Sequence, residues 1–330
     1  MTAGSSRVLV TGGAGFIGSH VADAYLARGD RVWVLDDLSS GRRDNVPAGA
    51  TFVEMGLESP DVRGLFRDVG FHVVNHHAAQ IDVRVSVADP LGDARSNVLG
   101  LLNLLEGARE CGARRVIYVS SGGVVYGEPG VRPTPETAAK APLSPYGVSK
   151  LAGEYYLSYY RRVHGLEYVA LRYANVYGPR QDPHGEAGVV AIFSNRLLDG
   201  VPITIFGDGE QTRDYVYVGD VVAANLCATD MDLPASEGID DVAFNVGTGD
   251  GTSVNALADA IEAVAGARPG RAHEEARAGE LRHSALAVDK LGAFGWTPST
   301  RLHDGLERTF DFLARARAPD GAPAPPESAW

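Results

Sequence analysis

The sequence predicts an α/β fold in which helices cover both faces of a doubly wound parallel sheet. Short apolar segments rich in β-branched residues recur along the first half of the chain, and longer segments with helical periodicity separate them. These short segments are almost continuously apolar, which is typical of strands that are buried on both faces. Strands that alternate with helices form parallel sheets, because each helix returns the chain to the edge where the next strand begins.

The first strand, helix and second strand follow one another directly. Residues 7–10 form an apolar run, a glycine-rich turn covers 11–18, and an apolar-periodic helix continues to about Arg28. The second strand covers 31–35 and ends at Asp36. Further strands are expected at 51–54, 73–75, 115–119 and 168–171, and further helices at 61–68, 91–111 and 146–164.

The alternation of strands and helices ends near residue 177. A loop rich in glycine, proline and charge follows, and helices and short strands then succeed one another without a regular order. We therefore expect two parts, a sheet domain over 1–177 and, mainly over 178–317, a smaller C-terminal α/β lobe. The segment 243–247 is expected to be one strand that returns to the first sheet.

Composition excludes several classes of protein. Of the 330 residues, 45% are hydrophobic and 22% are charged, which is typical of a globular chain. No apolar run reaches the roughly 18 residues of a membrane span, and no signal-peptide pattern begins the chain, so we expect a cytoplasmic protein. Acidic residues outnumber basic ones by 42 to 30, which argues against nucleic acid as a partner. Two cysteines exclude a disulfide framework, and the proline-rich segment 318–330 is expected to be a disordered tail.

The turn after the first strand carries a glycine pattern that suits a phosphate. Residues 13–18 fit G-x-G-x-x-G, and Gly12, Gly15 and Gly18 fit G-x-x-G-x-x-G. Such glycines let a pyrophosphate approach the backbone, and the helix that follows points its positive end at the phosphate. Asp36 lies 18 residues beyond Gly18, where a carboxylate binds the ribose hydroxyls of adenosine. The sequence therefore predicts a Rossmann-like dinucleotide-binding domain.

The residues near Asp36 favour NAD over NADP as the dinucleotide. Asp36 and Asp37 are adjacent carboxylates, which repel the 2′-phosphate of NADP. Arg42 and Arg43 follow, and a nearby arginine can hold that phosphate, so NADP stays open as an alternative. NAD is the expected cofactor.

The motif at 144–150 places a tyrosine and a lysine on one face of a helix. Tyr146 and Lys150 are four residues apart, which is about one helical turn. A phenol of ordinary pKa is a poor base at neutral pH, but a neighbouring ammonium and a positive nicotinamide ring favour the phenolate. The pair can then take a proton from a sugar or alcohol hydroxyl while hydride leaves the adjacent carbon. We predict Tyr146 and Lys150 as catalytic residues.

A second hydroxyl source follows the strand at 115–119. Residues 119–127 contain Ser120 and Ser121 and several glycines, at the end of a strand where ligands bind in open parallel sheets. A serine there could donate a hydrogen bond to the reacting oxygen and share its proton with Tyr146. Serines at strand ends also serve simply as turn formers, and that reading stays open.

Together these motifs resemble those of the extended short-chain dehydrogenase/reductases, and within them those of the UDP-galactose (UDP-glucose) 4-epimerases. The resemblance extends over about residues 7–313. The stretches that support it are 11–20, 36–38, 77–80, 120–127, 146–150, 175–180 and 207–215.

The resemblance implies contacts with NAD and with a UDP-sugar. It assigns the pyrophosphate to Phe16 and Ile17, the uracil region to Thr204 and Phe206, and the diphosphate to two arginines, whose forked guanidinium suits phosphate oxygens. The implied cofactor-binding residues are Gly12, Gly15, Phe16, Ile17, Gly18, Asp36, Asp37, Leu38, Ser40, Gly41, Leu57, Ala78, Ala79, Gln80, Ser120, Tyr146, Lys150 and Tyr173. The implied substrate-binding residues are Ser121, Asn175, Thr204, Phe206, Arg213 and Arg277.

Two positions depart from the pattern of that family. Many members have Ser or Thr where Gly122 stands, and because glycine has no side-chain donor we assign the catalytic hydroxyl to Ser121. Ser120 stays open as the alternative. The family also often has Asp where Gly56 stands, in contact with adenine, so here we expect only an apolar wall at Leu57.

The activity that the resemblance implies is 4-epimerisation of a UDP-hexose through a transient 4-keto sugar. Sugar-nucleotide 4,6-dehydratases need an acid pair that would fall at Gly123 and Val124, so dehydration is disfavoured. UDP-glucuronate 4-epimerisation, or another oxidoreductase reaction of the family on a sugar nucleotide, is the alternative, and a non-catalytic NAD-binding regulator is a remote one. Ser284 falls where a bulky residue in some relatives excludes N-acetyl sugars, so we expect some activity on UDP-GlcNAc.

No metal site is expected, and a second copy of the chain is the expected protein partner. His76 and His77 end a buried strand and have no Asp or Glu at ligand spacing. Relatives commonly dimerise through two helices of each chain, for which 91–111 and 146–164 are the candidates. The apolar and aromatic residues that fit this role are Leu101, Leu104, Leu105, Tyr155, Tyr156 and Tyr159, and packing within the core of the chain explains the same pattern nearly as well.

Overall fold

The computed structural model describes residues 5–182, 188–235, 238–276 and 281–317. A seven-stranded sheet lies at its centre, and all of the strand pairs in this sheet are parallel. Among the residues that the structure describes, none of the helices combines the length and the apolar character needed to span a bilayer. The predicted tail at 318–330 lies outside the described residues.

The strand order in the central sheet is β11-β6-β5-β4-β1-β2-β3. The order reverses between β1 and β4, which is where doubly wound sheets bind their ligands. The predicted Rossmann-like α/β fold is confirmed. The strands are β1 (Arg7–Thr11), β2 (Arg31–Asp36), β3 (Thr51–Glu54), β4 (Val73–His76), β5 (Arg115–Ser121), β6 (Glu167–Tyr173) and β11 (Ala243–Val246).

Two apolar clusters cover the two faces of this sheet. On one face Tyr25 and Val21 of the first helix pack with Val222 of a later helix. On the other face Phe66 and Phe71 pack with leucines of two long helices. The helices are α1 (Phe16–Ala27), α2 (Val62–Val69), α3 (Val83–Ala88), α4 (Pro90–Ala94), α5 (Gly100–Cys111), α6 (Pro145–His164) and α8 (Val218–Asp230).

The predicted helix at 91–111 contains a π-helical turn. Residues Arg95–Leu99 form this turn between α4 and α5, so the backbone there is wider than in an α-helix. Leu101, Leu104 and Leu105 of α5 are fully buried within the chain, next to Phe66. The prediction that they belong to a dimer face is therefore wrong for these three leucines, because they form part of the core of the chain itself.

A third apolar cluster, of helices and short strands, lies beyond β6. Its core includes Tyr177, Phe193, Ile205 and Leu257. Phe16 at the start of α1 packs against this cluster, which connects it to the glycine-rich turn. The elements are β7 (Asn175–Tyr177), α7 (Val189–Leu198), β8 (Ile203–Phe206), β9 (Thr212–Arg213), β10 (Tyr215–Tyr217), β12 (Thr252–Ser253), α9 (Val254–Ala265), β13 (Arg271–Glu274), α10 (Asp289–Gly292) and α11 (Leu302–Ala316).

Candidate active site

A cleft of about 1920 Å³ opens at the carboxyl ends of the central strands. Gly12 follows β1, Asp36 ends β2 and His77 follows β4, while Ser121 and Tyr173 end β5 and β6, and all five line the cleft. Parallel strands bring these chain positions together, because their carboxyl ends lie on the same edge of the sheet. Among the described residues, we place the catalytic and binding groups in this cleft alone.

The glycine-rich turn lines the cleft and leaves no room for a side chain at Gly12 or Gly18. Gly12 has a φ of +66°, and a Cβ placed there would lie 2.6 Å from the backbone nitrogen of Ala78. A Cβ on Gly18 would collide with the carbonyl oxygen of Gly12. The turn is followed at once by α1, which begins at Phe16. Bare backbone next to a helix N-terminus is the arrangement that accepts a pyrophosphate, so this wall fits a dinucleotide.

Asp36 lies beside this turn and is held by backbone groups. Its carboxylate accepts hydrogen bonds from the backbone nitrogens of Ala14 at 3.0 Å and Leu38 at 2.9 Å. Burial raises the pKa of Asp36, and these two hydrogen bonds partly offset the increase. Arg43, which left NADP open, instead lies with its guanidinium carbon 3.8 Å from the ring centroid of Phe52.

The catalytic candidates Tyr146 and Lys150 lie on the first turns of α6. Ser144 caps this helix, since its Oγ accepts a hydrogen bond from Gly147 N at 3.1 Å. Lys150 Nζ lies 5.7 Å from the centroid of the Tyr146 ring and donates to the carbonyl oxygen of Val119 at 2.9 Å. Both side chains line the cleft and are at most 8% exposed. The structure therefore places an ammonium beside a phenol at the wall of the cleft.

The two serines that end β5 have different surroundings. The Oγ of Ser120 donates a hydrogen bond of 2.6 Å to Glu154, which lies one turn after Lys150 on α6. Glu154 is fully buried and forms an ion pair with the equally buried Arg172. Because a hydroxyl has a single proton, Ser120 is engaged with Glu154, and Ser121 is the neighbouring hydroxyl on the cleft wall.

The glycine at 122 is explained by a residue from a distant part of the chain. A Cβ on Gly122 would collide with the side chain of Leu286, which is 1% exposed. Leu286 pairs with Thr134 in an isolated parallel bridge and packs with Val125 and Tyr126, which follow Gly122 in the chain. A serine at 122 would therefore compete for space with Leu286.

The comparisons with known proteins agree with this geometry. The model of the NAD dependent epimerase/dehydratase family matches residues 8–247. The chain belongs to that family. It is 47% identical over 313 residues to the UDP-glucose 4-epimerase of Mycolicibacterium smegmatis, covering 93% of this chain and 98% of that protein.

Two solved structures are similar over almost the whole chain. One is the UDP-glucose 4-epimerase of Thermotoga maritima with UDP-glucose, with a TM-score of 0.90 and 45% identity, covering 94% of this chain and 99% of that one. The other is the UDP-glucose 4-epimerase of Thermus thermophilus in complex with NAD, with a TM-score of 0.86 and 47% identity, covering 93% and 98%. As a member of the NAD dependent epimerase/dehydratase family this chain is an enzyme, and NAD is its cofactor.

Most of the residues predicted to contact the cofactor of this family member line the cleft. Leu38 does not line the cleft, although its backbone nitrogen orients Asp36. The predicted residues that do line it are Gly12, Gly15, Phe16, Ile17, Gly18, Asp36, Asp37, Ser40, Gly41, Leu57, Ala78, Ala79, Gln80, Ser120, Tyr146, Lys150 and Tyr173.

The predicted substrate residues are divided between the cleft and its surroundings. Ser121, Asn175 and Arg213 line the cleft. Thr204 and Phe206 are not among its lining residues; they lie on β8, which pairs with β13. Arg277 lies outside the described residues.

His77 is a cleft residue whose environment the sequence did not reveal. The residue is half-buried, but its Nε2 is buried and has no hydrogen-bond partner among the described residues. Burial and the nearby charge of Lys150 lower the pKa of His77 to about 3, so the ring is neutral at physiological pH. The signal that could have found it is its position directly before Ala78, in the stretch predicted to line the cofactor groove.

Proposed function

We propose that this enzyme interconverts UDP-galactose and UDP-glucose by inverting carbon 4 of the sugar. The observation that carries the proposal is the grouping of Tyr146, Lys150 and Ser121 on the wall of the cleft that the glycine-rich turn also lines. The names of the similar proteins support the same reaction, since they are UDP-glucose 4-epimerases and one was solved with UDP-glucose.

Tyr146, Lys150 and Ser121 have different roles in the transfer of the proton. Tyr146 takes the proton from the hydroxyl on carbon 4, and the ammonium of Lys150 stabilises the phenolate that this requires. Ser121 donates a hydrogen bond to the oxygen as it becomes a carbonyl. NAD, when bound along the wall from Gly12 to Gln80, supplies a hydride acceptor at carbon 4 and a hydride donor for the return step.

Inversion requires that the sugar present its other face before it is reduced. A 4-keto sugar is planar at carbon 4, so a turn about its link to UDP would expose either face of carbon 4 to the same hydride source, with Tyr146 at the oxygen in both orientations. Asn175 and Arg213 line the cleft and are suited to hold the UDP portion while the sugar turns, because an arginine fork matches phosphate oxygens. This assignment keeps one base and one hydroxyl donor for both directions of the reaction.

Dehydration of a sugar nucleotide is a poorer fit to the cleft. Elimination of water needs an acid pair, for which the family pattern reserves the positions that hold Gly123 and Val124 here. Neither residue can give or take a proton. A non-catalytic NAD-binding regulator is also disfavoured, because such a protein has no need to retain both Tyr146 and Lys150.

UDP-glucuronate 4-epimerisation is the second candidate function. The cleft wall carries Asp182 directly after Gln181, and a carboxylate there disfavours an acidic sugar by charge repulsion. UDP-GlcNAc is favoured as an additional substrate by Ser284, a small residue on the cleft wall that leaves space for an N-acetyl group.

The test is a direct assay of the purified protein on these sugar nucleotides. Incubation with UDP-galactose is expected to yield UDP-glucose, with slower conversion of UDP-GlcNAc and least conversion of UDP-glucuronate. Chromatographic separation of the epimers measures each rate. If UDP-glucuronate is converted fastest, the second candidate replaces the first.

The Ser284→Tyr variant tests the origin of UDP-GlcNAc activity. A bulky ring at this position is expected to lower the ratio of UDP-GlcNAc to UDP-glucose activity at least tenfold, because the N-acetyl group loses its space. The ratio is measured under identical conditions, with Ser299→Tyr as the control because Ser299 lies outside the cleft lining. An unchanged ratio in Ser284→Tyr removes this explanation.

We also propose that the enzyme is a homodimer built on α6. Tyr155, Tyr156, Tyr159 and Val163 form an exposed row on this helix, which we call the α6 tyrosine face. Exposed apolar patches of this kind commonly mark protein interfaces.

We also propose a division of the chain into two parts. Residues 1–177 with β11 form the NAD domain, and residues 178–317 mainly form the UDP-sugar lobe.

A further inference from the structure

A buried polar cluster joins the loop after β4 to the helix α6. Its four members are Gln80 in the loop, Asp93 in α4, Asn97 in the π-helical turn and Ser149 in α6. Asp93, Asn97 and Ser149 are each at most 5% exposed, and Gln80 lies on the cleft wall. Buried polar groups are retained at a cost in free energy, so a complete network of this kind calls for an explanation.

Asn97 holds the backbone of the loop. Its Oδ1 accepts a hydrogen bond from the backbone nitrogen of Gln80 at 2.9 Å, and its Nδ2 donates to the carbonyl oxygen of Gln80 at 2.8 Å. One side-chain amide therefore satisfies both backbone groups of a single loop residue. The π-helical turn Arg95–Leu99 gives Asn97 this position, and such turns are frequent at functional sites.

Asp93 connects this loop to α6 through its two carboxylate oxygens. Its Oδ1 accepts from Asn97 Nδ2 at 2.9 Å and from Gln80 Nε2 at 3.1 Å. Its Oδ2 accepts from Ser149 Oγ at 2.5 Å. Oδ1 thus binds Gln80 of the loop together with Asn97, and Oδ2 binds Ser149 of the helix. All three donors are uncharged.

We propose that Asp93 is a positioning residue that fixes the distance between the cofactor-lining loop and the base on α6. Ser149 directly precedes Lys150 and follows Tyr146 by less than one helical turn, so the bond to Asp93 anchors the part of α6 that carries both. A shift of about 1 Å in a reacting group can cost about 100-fold in rate. The inference rests on the proposed function, because it gives Tyr146 the role of base.

The variants Ser149→Ala and Asp93→Ala separate the two halves of the connection. Ser149→Ala removes only the bond to α6, so kcat on UDP-galactose is expected to fall at least tenfold. KM should stay within threefold, and NAD content per chain should stay unchanged. Asp93→Ala also releases Gln80, so it is expected to lose as much kcat and in addition to weaken NAD binding at least fivefold.

The variant Asp93→Asn is the conservative replacement. Asparagine keeps an oxygen for Gln80 and Asn97 and presents an amide N–H to Ser149 Oγ, which can accept it. If position is what Asp93 provides, kcat of this variant stays within about threefold of the parent enzyme. Ser158→Ala, also on α6, is the matched control and is expected to change neither kcat nor NAD content.

The measurements are steady-state kinetics, NAD content of the purified enzyme and the NAD dissociation constant of the stripped enzyme. Parent-like kcat in Ser149→Ala at full NAD content overturns the proposal, and so does a loss in Asp93→Asn equal to that in Asp93→Ala. If the parent enzyme converts none of the UDP-sugars, the proposed function fails instead. NAD binding then still decides for Asp93, because an unchanged dissociation constant in Asp93→Ala contradicts its role at the loop.

Discussion

At the scale of single residues, the environment of each hydroxyl decides which one can act in the cleft. Ser120 and Ser121 are neighbours in the sequence, but only Ser120 donates to the buried Glu154. The motif predicted that a serine at this strand end would take part, and it could not distinguish the two. The distinction depends on Glu154 and Arg172, which lie far from the serines in the chain and reach them only through the packing of α6 and β6 on β5.

The variants Ser121→Ala and Ser120→Ala test this distinction. Ser121→Ala is expected to lower kcat on UDP-galactose about 10- to 100-fold, because the developing carbonyl oxygen loses a hydrogen-bond donor. Ser120→Ala is expected to lower the melting temperature, since it leaves one lone pair of a buried carboxylate unsatisfied, while kcat changes less than fivefold. The reverse ranking of the two kcat values would move the donor role to Ser120.

Buried histidines predict how stability depends on pH. Burial lowers the pKa of His20 to about 4 and that of His77 to about 3, and it lowers the pKa of His76 well below its ordinary value. In the unfolded chain these groups take up protons near pH 6.5, so the unfolded state binds more protons below that pH. The contribution of these neutral histidines to the free energy of unfolding is therefore fully present above about pH 6.5, and it is lost as the pH falls toward 4.

Thermal unfolding between pH 8 and pH 5 measures this loss. The parent enzyme is expected to show a falling melting temperature below about pH 6.5, and His77→Gln a smaller fall, because one proton uptake site is removed. The control is His303→Gln, which changes an exposed histidine on α11 and should keep the parent slope. Equal slopes in all three proteins would contradict the assignment of a neutral His77.

At the scale of helices and strands, the periodicity of apolar residues predicted where the elements lie. It did not predict their exact ends or the places where their backbone departs from regular geometry. The strand expected at 115–119 continues to Ser121, which brings the hydroxyl to the edge of the sheet. The helix expected at 91–111 contains the π-helical turn, and Asn97 in this turn binds the backbone of Gln80. An apolar repeat cannot show such a turn, since the apolar spacing carries no information about a contact with another segment.

The same limit applies to the glycine at 122 and to the leucines of α5. Leu286 occupies the space beside Gly122, and no local pattern connects these two positions. Leu101, Leu104 and Leu105 face the core because α5 packs closely on α2, where a Cβ on Gly107 would lie 2.7 Å from the Phe66 ring. Helical spacing identified an apolar face correctly but could not say whether the chain itself or a partner covers it.

At the scale of the whole molecule, the central sheet and the third apolar cluster together form the cleft. The strand–helix alternation predicted the sheet, and the glycine motif with Asp36 predicted a dinucleotide at its edge. The other cofactor-binding residues were implied only by the resemblance to the family. The positions of Thr204 and Phe206 were not predictable in this way, because they depend on the pairing of β8 with β13. Arg277 and residues 318–330 lie outside the described residues, so their predicted roles stay predictions.

The proposed dimer makes a prediction at this scale. Light scattering after size-exclusion chromatography is expected to give twice the 34.9 kDa mass of one chain. The double variant Tyr155→Glu with Tyr159→Glu places charges on the α6 tyrosine face and is expected to give the mass of one chain. Arg315→Glu, an exposed change on α11, should leave the dimer intact, and a dimer in the double variant would contradict this interface.

The Tyr146→Phe variant is the most direct test of the catalytic assignment. This change removes one oxygen atom from the cleft wall and leaves the ring beside Lys150. Turnover of UDP-galactose is expected to fall about 100- to 10,000-fold, as for loss of a general base, while the purified variant still contains NAD. Near-normal turnover with NAD bound would show that another group takes the proton, and the mechanism proposed for this cleft would be wrong.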